Sequence, residues 1–378
     1  MNITVNTEAL TAALKPLARI AAGRSSLPIF TSVLIEADGK RKTVTITATD
    51  GEQILAITVP ADAVEQPGNV CVSASMLMNM LNGETGDTSL VLDTGTKKED
   101  TRLLVKTPGL STRLAVIAAS EFPPHQKEDP NTAVVTVSAT DLAERIAAIR
   151  HGASTDETRY ILNGVALVFK TGASEIACGD GRRMAFAPIE AKIEGSDVTV
   201  PLHTKSVGTI VRLLDGLQGD VQLHINGNRL HIDLGGEIRT EYTCKLIEGT
   251  YPNYQQVIPA EESLEHSMGF DTQAFKAALH KCTPIAALCV FPGTVTIAPE
   301  GLTATVSAEN PSAGSVKIDV PCKTEGTPSA FSINAAYLLQ ILANDTRDET
   351  IIRHQDAISP QVVTGRLGKH IVMPITSK

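Results

Sequence analysis

One helix start is written three times along this chain at an almost constant step. Thr7-Glu8-Ala9-Leu10-Thr11-Ala12-Ala13-Leu14 returns as Ala139-Thr140-Asp141-Leu142-Ala143-Glu144-Arg145-Ile146, and again as Thr272-Gln273-Ala274-Phe275-Lys276-Ala277-Ala278-Leu279. Leu142 lies 132 residues after Leu10, and Phe275 lies 133 residues after Leu142. A step of that length is a domain rather than a solenoid unit, so the pattern predicts three copies of one domain. Alanine-rich amphipathic starts occur singly in many α+β proteins; the regular interval is what distinguishes these.

A second set of helical segments follows at a similar interval: Ser75 to Leu81, Ser206 to Leu214 and Asn334 to Leu342. Between the helices run β-branched alternations such as Thr43-Val44-Thr45-Ile46-Thr47, Val165-Ala166-Leu167-Val168-Phe169 and Val295-Thr296-Ile297-Ala298, which read as strands. The expected fold class is therefore α+β, with each third built from two β-α-β-β-β halves. The expected domains are 1–130, 131–263 and 264–378.

A chain of 378 residues with 42% apolar content holds enough material for three cores of ordinary domain size. Met1-Asn2-Ile3-Thr4-Val5 opens as a strand, without the basic and apolar regions of a signal peptide. No apolar run approaches the roughly eighteen residues of a membrane span, and a cytoplasmic location is expected. The six cysteines, Cys71, Cys178, Cys244, Cys282, Cys289 and Cys322, form no Cys-x-x-Cys pair and are expected to be buried free thiols. His224 and His231 flank the turn Ile225-Asn226-Gly227-Asn228-Arg229-Leu230, where their rings could face across a hairpin. Further metal ligands are lacking nearby, so neither a metal nor another cofactor is expected.

The sequence holds no Gly-x-x-x-x-Gly-Lys loop, His-Glu-x-x-His helix or Gly-x-Ser-x-Gly elbow, and a non-enzymatic role is expected. Gly179-Asp180-Gly181-Arg182-Arg183 after a strand-like Glu175-Ile176-Ala177-Cys178 reads as a tight turn. Glu261-Glu262 falls in a polar stretch between the second and third parts, where it reads as solvated linker charge.

The formal charge is -9, yet the helices carry Lys15, Arg19, Arg145, Arg150, Lys205, Arg212, Lys276 and Lys281. Their acidic residues are fewer and stand mostly at helix starts, where they complement the dipole. Helices gathered on one surface would make it positive on an acidic body. Basic side chains that merely solvate exposed helix faces would give the same pattern.

Thr158-Arg159-Tyr160-Ile161-Leu162-Asn163-Gly164 and Gly179-Asp180-Gly181-Arg182-Arg183-Met184-Ala185 resemble the centre of the bacterial sliding clamps, the β subunits of DNA polymerase III. Further similar segments are Gly23-Arg24-Ser25-Ser26-Leu27-Pro28-Ile29, Lys245 through Tyr254, Val257-Ile258-Pro259 and Val372-Met373-Pro374, in the family's order. The resemblance implies a DNA clamp fold in which two three-domain chains join head to tail around duplex DNA. Helices then line the hole and sheets form the outer wall. It implies a processivity factor with double-stranded DNA, a replicative polymerase, a clamp loader and repair proteins as partners, and no membrane association.

By the same resemblance Arg24, Lys205 and Tyr160 approach DNA; helix placement adds Lys15, Arg19, Arg145, Arg150, Arg212 and Lys276. Scattered cations facing phosphates give sequence-independent, salt-sensitive attraction that permits movement along the duplex. The family's partner-peptide groove falls on Leu162, Gly179, Gly181, Arg182, Arg183, Met184, Pro252, Gln256 and Val257, with Asn334, Tyr337, Ile371, Met373, Pro374 and Ile375 from the third part. Methionine repacks around varied partners. Taken singly, Met184 and Met373 also suit ordinary core filling. Ring closure is expected between the strand around Leu114 and the helix near Phe275.

The chain departs from the family at several of these positions. It has Ser75 and Met76 where a basic residue is frequent, Asp156 for a glutamine, Gly179 for a threonine and Gln256 for an arginine. His280 and Lys281 replace apolar residues, and Ile375-Thr376-Ser377-Lys378 replaces a final Met-Arg-Leu. Two alternatives follow: a clamp-like paralogue with altered or lost partner binding, and a DNA-modifying enzyme built on Asp180-Gly181-Arg182-Arg183, which would need a further clustered acid or metal ligand.

Overall fold

The structure is a computed structural model and describes residues 1–21, 25–93, 101–124, 133–236, 238–343 and 345–376. The first helix of each third begins where the repeat places it: α1 at Thr7–Ile20, α3 at Ala139–Ile149 and α5 at Thr272–Ala286. α2 (Ala74–Leu81), α4 (Thr204–Leu214) and α6 (Ala335–Ala343) match the second set.

The repeat extends to hydrogen bonds. Asn6, Ser138 and Asp271 cap the three first helices, each side chain accepting from the amide three residues on. The amides of Thr7, Ala139 and Thr272 donate to the carbonyls of Gly86, Gly219 and Asp348, which anchors each helix start to the later half of its own third. Thr7 and Thr272 also pair hydroxyls with Thr88 and Thr350, at 2.7 and 2.8 Å. Equivalent positions are buried in all three helices: Leu10, Leu142 and Phe275; Leu14, Ile146 and Leu279; Leu17, Ile149 and Cys282. This spacing is that of an amphipathic helix with one face against a sheet.

The element order supports the β-α-β-β-β reading, since each of the six helices is followed by three antiparallel strands. The fold divides into two compact units, residues 1–135 with 221–245, and 136–220 with 246–378. In the first, the strand Arg239–Lys245 pairs antiparallel with the edge of Gln53–Pro60, and Tyr242 Oη donates to Gln53 at 2.8 Å in the buried seam. In the second, the strand Arg183–Ile189 pairs antiparallel with Lys369–Val372. Phe270 and Phe275 stack at 4.3 Å within an apolar core of the second unit.

All six cysteines are free, and all but Cys289 are buried. His224 and His231 do face each other across the hairpin, with centroids 6.1 Å apart. Among the described residues no cluster of three His, Cys, Asp or Glu side chains has metal-site geometry, and no helix is long and apolar enough to cross a membrane.

Candidate partner-binding groove

The second unit carries two adjoining cavities, of about 700 and 300 Å3, that share Arg182 and Met373 as lining residues. All fifteen groove residues expected from sequence line one or the other. Leu162, Gly179, Gly181, Arg183, Met184, Pro252, Gln256, Val257 and Ile371 belong to the larger. Asn334, Tyr337, Pro374 and Ile375 belong to the smaller.

The turn at the centre is held by one carboxylate. Asp180 Oδ1 accepts from the amides of Arg182 and Arg183 at 2.8 and 2.9 Å, an Asx-type turn that closes the hairpin between Ser174–Gly179 and Arg183–Ile189. Gly181 sits at φ +85°, and a Cβ there would lie 2.6 Å from Arg159 Nη1, which itself donates to the Asp180 carbonyl. The positive φ favours glycine at position 181, and a larger residue would also displace the Arg159 side chain from its bond.

Met184 stands opposite Ile371 in the strand pairing and is 7% exposed, so it is floor; Met373 is 45% exposed and forms rim. The two readings of the methionines thus divide between them. The Met373 amide donates to the Arg182 carbonyl at 2.9 Å, and the Ile375 amide to the Ser332 carbonyl at 2.7 Å, which lays the C-terminal segment across the smaller cavity.

The opposite wall, Tyr251 to Pro259, contains only a 3-10 turn, Tyr254–Val257. One tie to the sheet is Glu175, whose Oε1 accepts from Tyr254 Oη at 2.5 Å and from Gln255 Nε2 at 2.9 Å. Burial raises the Tyr254 phenol well above its ordinary range, and the bond to Glu175 raises it further. Burial raises Tyr251 likewise. Both rings are neutral apolar wall at physiological pH, edge to face at 6.2 Å. Sequence reasoning missed Tyr251, Tyr254, Glu175 and Phe291. In a chain with 3% aromatic residues, two tyrosines three apart beside Pro252 were an available signal.

The nucleic-acid candidates separate into groups. Lys15, Arg19, Arg150, Lys205 and Arg212 are exposed, and Tyr160 is 60% exposed. Lys276 is half-buried. Arg145 is drawn inward: its Nε binds Asp141 at 2.6 Å and Nη1 reaches the Leu367 carbonyl at 3.4 Å. Its helix position is the one buried as Ala13 and Ala278 in the other copies, which explains why the side chain folds back into a structural ion pair. Arg24 lies outside the described residues. Asp156 accepts from the Thr158 amide and hydroxyl and caps the turn Glu157–Leu162; the Thr158 bonds hold its carboxyl below the usual range.

Of the two residues expected to close a ring, Phe275 is fully buried against Phe270 in its own core and offers no surface, and Leu114 is 8% exposed. The exposed face of α5 instead carries Gln273, Ala277, His280 and Lys281.

Comparison with known proteins agrees along the chain. Residues 1–124 match the family model of the DNA polymerase III beta subunit, N-terminal domain, and residues 136–253 that of the central domain. A beta sliding clamp of Caulobacter vibrioides is 26% identical over 394 residues, covering 99% of this chain and 100% of its own length. A crystal structure of the DNA polymerase sliding clamp from Caulobacter crescentus superposes with a TM-score of 0.88 at 25% identity, covering 100% of each chain. The DNA polymerase III subunit beta of Pseudomonas aeruginosa gives 0.90 at 22%, again over 100% of each, a likeness of fold. With two domain models matched in order and the helix repeat on which they fall, the chain belongs to the DNA polymerase III beta subunit family, the beta sliding clamps.

Proposed function

We propose that this chain is the protomer of a non-enzymatic, cytoplasmic processivity factor that encircles duplex DNA as a head-to-tail dimer. It tethers a replicative polymerase, a clamp loader and repair proteins through short peptides. The observation that carries the tether is the pair of adjoining cavities, whose linings include every residue of the expected groove. An extended segment with two apolar side chains would fill both while crossing Arg182 and Met373, and the rim methionine adapts to different partners.

Three domains, at 1–130, 131–263 and 264–378, are supported by the triple repeat of caps and helix anchors. Exposed Lys15, Arg19, Arg150, Lys205 and Arg212 supply weak attraction to phosphates, and a topological link needs no tight grip. Gly179 and Gln256 both line the larger cavity, which favours a peptide preference of its own or, as a second reading, a paralogue with reduced partner binding.

Light scattering across a concentration series, with retention on nicked circular DNA before and after linearisation in the presence of a matching loader, tests the proposal. A dimer that stays on circles and leaves linear ends is expected. Equal retention on both forms would refute topological binding.

A further inference from the structure

Arg183 was expected to meet partner peptides, yet its side chain is 9% exposed and its guanidinium is already committed. Nε binds Asp180 Oδ2 at 3.0 Å, and Nη2 donates to the His151 carbonyl at 2.6 Å. Nη1 donates to Gln340 Oε1 on α6, and the guanidinium carbon lies 4.1 Å from the centre of the Tyr337 ring. The first two partners belong to the turn and the segment behind the larger cavity; the last two belong to the helix beside the smaller one.

We infer that Arg183 is a positioning residue that sets the spacing between the two cavities, with Gln340 as its anchor on α6, and so selects peptides that place apolar side chains in both at once. The inference deepens the groove reading and rests on it. A planar guanidinium with donors in a fixed fork holds several acceptors at defined angles while stacking on an aromatic face. Lysine keeps the charge but cannot keep three hydrogen bonds in the plane of one group together with the contact over the Tyr337 ring. Gln340 is absent from both linings and exposed, and this bond ties it to a residue that lines the larger cavity. Removing the Gln340 amide releases α6 from the turn while leaving every lining residue of both cavities in place.

The test uses the full chain and two synthetic peptides read by competition anisotropy: Gln-Leu-Ser-Leu-Phe, with anchors for both cavities, and Ala-Ala-Ser-Leu-Phe, shortened to one. Arg183→Lys is expected to weaken the first about tenfold, the loss of one or two charged hydrogen bonds. Gln340→Ala, outside both linings, should weaken the first about threefold and the second less than about 1.5-fold, and the double variant should do no worse than Arg183→Lys alone. Equal losses for both peptides, or strict additivity, would overturn the inference; melting curves superposable on the unsubstituted protein guard against general unfolding. If the unsubstituted protein binds neither peptide, this inference falls, and the groove reading passes to the separate peptide preference or reduced partner binding named above.

Discussion

Acidification should loosen the base of the groove before the carboxylates titrate. His151 and His370 stack at 5.2 Å beneath it, and both nitrogens of His151 and Nδ1 of His370 are buried with no hydrogen-bond partner among the described residues. Burial pushes His151 down to about 4, with the Arg183 charge adding to the effect. Burial also takes His370 to about 3; His151, Arg347 and Arg183 lower it further, and Asp345 opposes them. Because the folded values lie below the unfolded one of 6.5, the unfolded chain takes up protons first. The stability contribution is full above 6.5 and lost as pH falls toward the folded values. At pH 5 each ring loses about 2 kcal/mol, from 1.36 kcal/mol per pH unit below 6.5, or about 4 kcal/mol together. His151 gives its carbonyl to Arg183 and His370 sits in the strand that leads to Met373, so peptide affinity should fall with local stability. Hydrogen exchange of the Arg183–Ile189 and Lys369–Val372 amides at pH 7 and pH 5, corrected for intrinsic rates, measures this, and His370→Gln should shrink the difference by about half. Imidazole resonances from either ring titrating near pH 6 would refute the reasoning.

Three substitutions probe other parts of the fold. Gly164→Ala would put a Cβ 2.2 Å from the Leu202 carbonyl oxygen of the paired strand, and should cost at least about 3 kcal/mol, seen in calorimetry as a lowered melting transition. Phe275→Ala should cost about 3 to 5 kcal/mol by the same measure, because it opens a cavity beside Phe270. Glu175→Ala leaves the Tyr254 hydroxyl and Gln255 amide without their shared acceptor, and should weaken binding of the Gln-Leu-Ser-Leu-Phe peptide about fivefold. Unchanged affinity would mean that the wall is held by other contacts.

How much could be read from sequence follows from what kind of physics set each feature. The helices were legible because capping and burial repeat locally: Asn6, Ser138 and Asp271 precede the same apolar spacing, whatever the sheet beyond them does. Arg145 and Phe275 were misplaced for opposite reasons, although both could have been read by superposing the repeats. Charge suggested that Arg145 faces solvent, but Ala13 and Ala278 mark its register as buried; proximity to an expected seam put Phe275 at a surface, but Leu10 and Leu142 mark its register as core. The groove residues came through family resemblance, and the structure added what no short motif encodes. Glu175 and Tyr254 are 79 residues apart, and their bond exists only once both the sheet and the loop are folded. Arg183 shows the same limit, since its type and place were legible and its four partners were not.

The strand edges give the proposed dimer a physical basis that the Phe275 expectation lacked. The chain makes the same kind of join twice: the last strand of one third, Arg239–Lys245, adds to the edge of Gln53–Pro60, and Lys369–Val372 adds to the edge of Arg183–Ile189. By position in the repeat, the strand left as donor is Ser111–Ile117 and the strand left as acceptor is Gly314–Glu325. Along the described pairings Ser111 to Ala115 bond on one side only, to Arg102–Lys106, and Gly314 to Pro321 bond on one side only, to Thr303–Asn310. Open edges of this length invite strand addition from another chain, and soluble proteins cover them when they persist. One chain cannot satisfy its own leftover pair if the two ends point apart, whereas two copies arranged head to tail satisfy both at once. The side chains presented along these edges are largely polar or charged, Arg113, Lys317 and Asp319 among them, so the join would rest on backbone hydrogen bonds more than on apolar burial. The concentration series that tests the proposed ring also measures how readily such a join would separate.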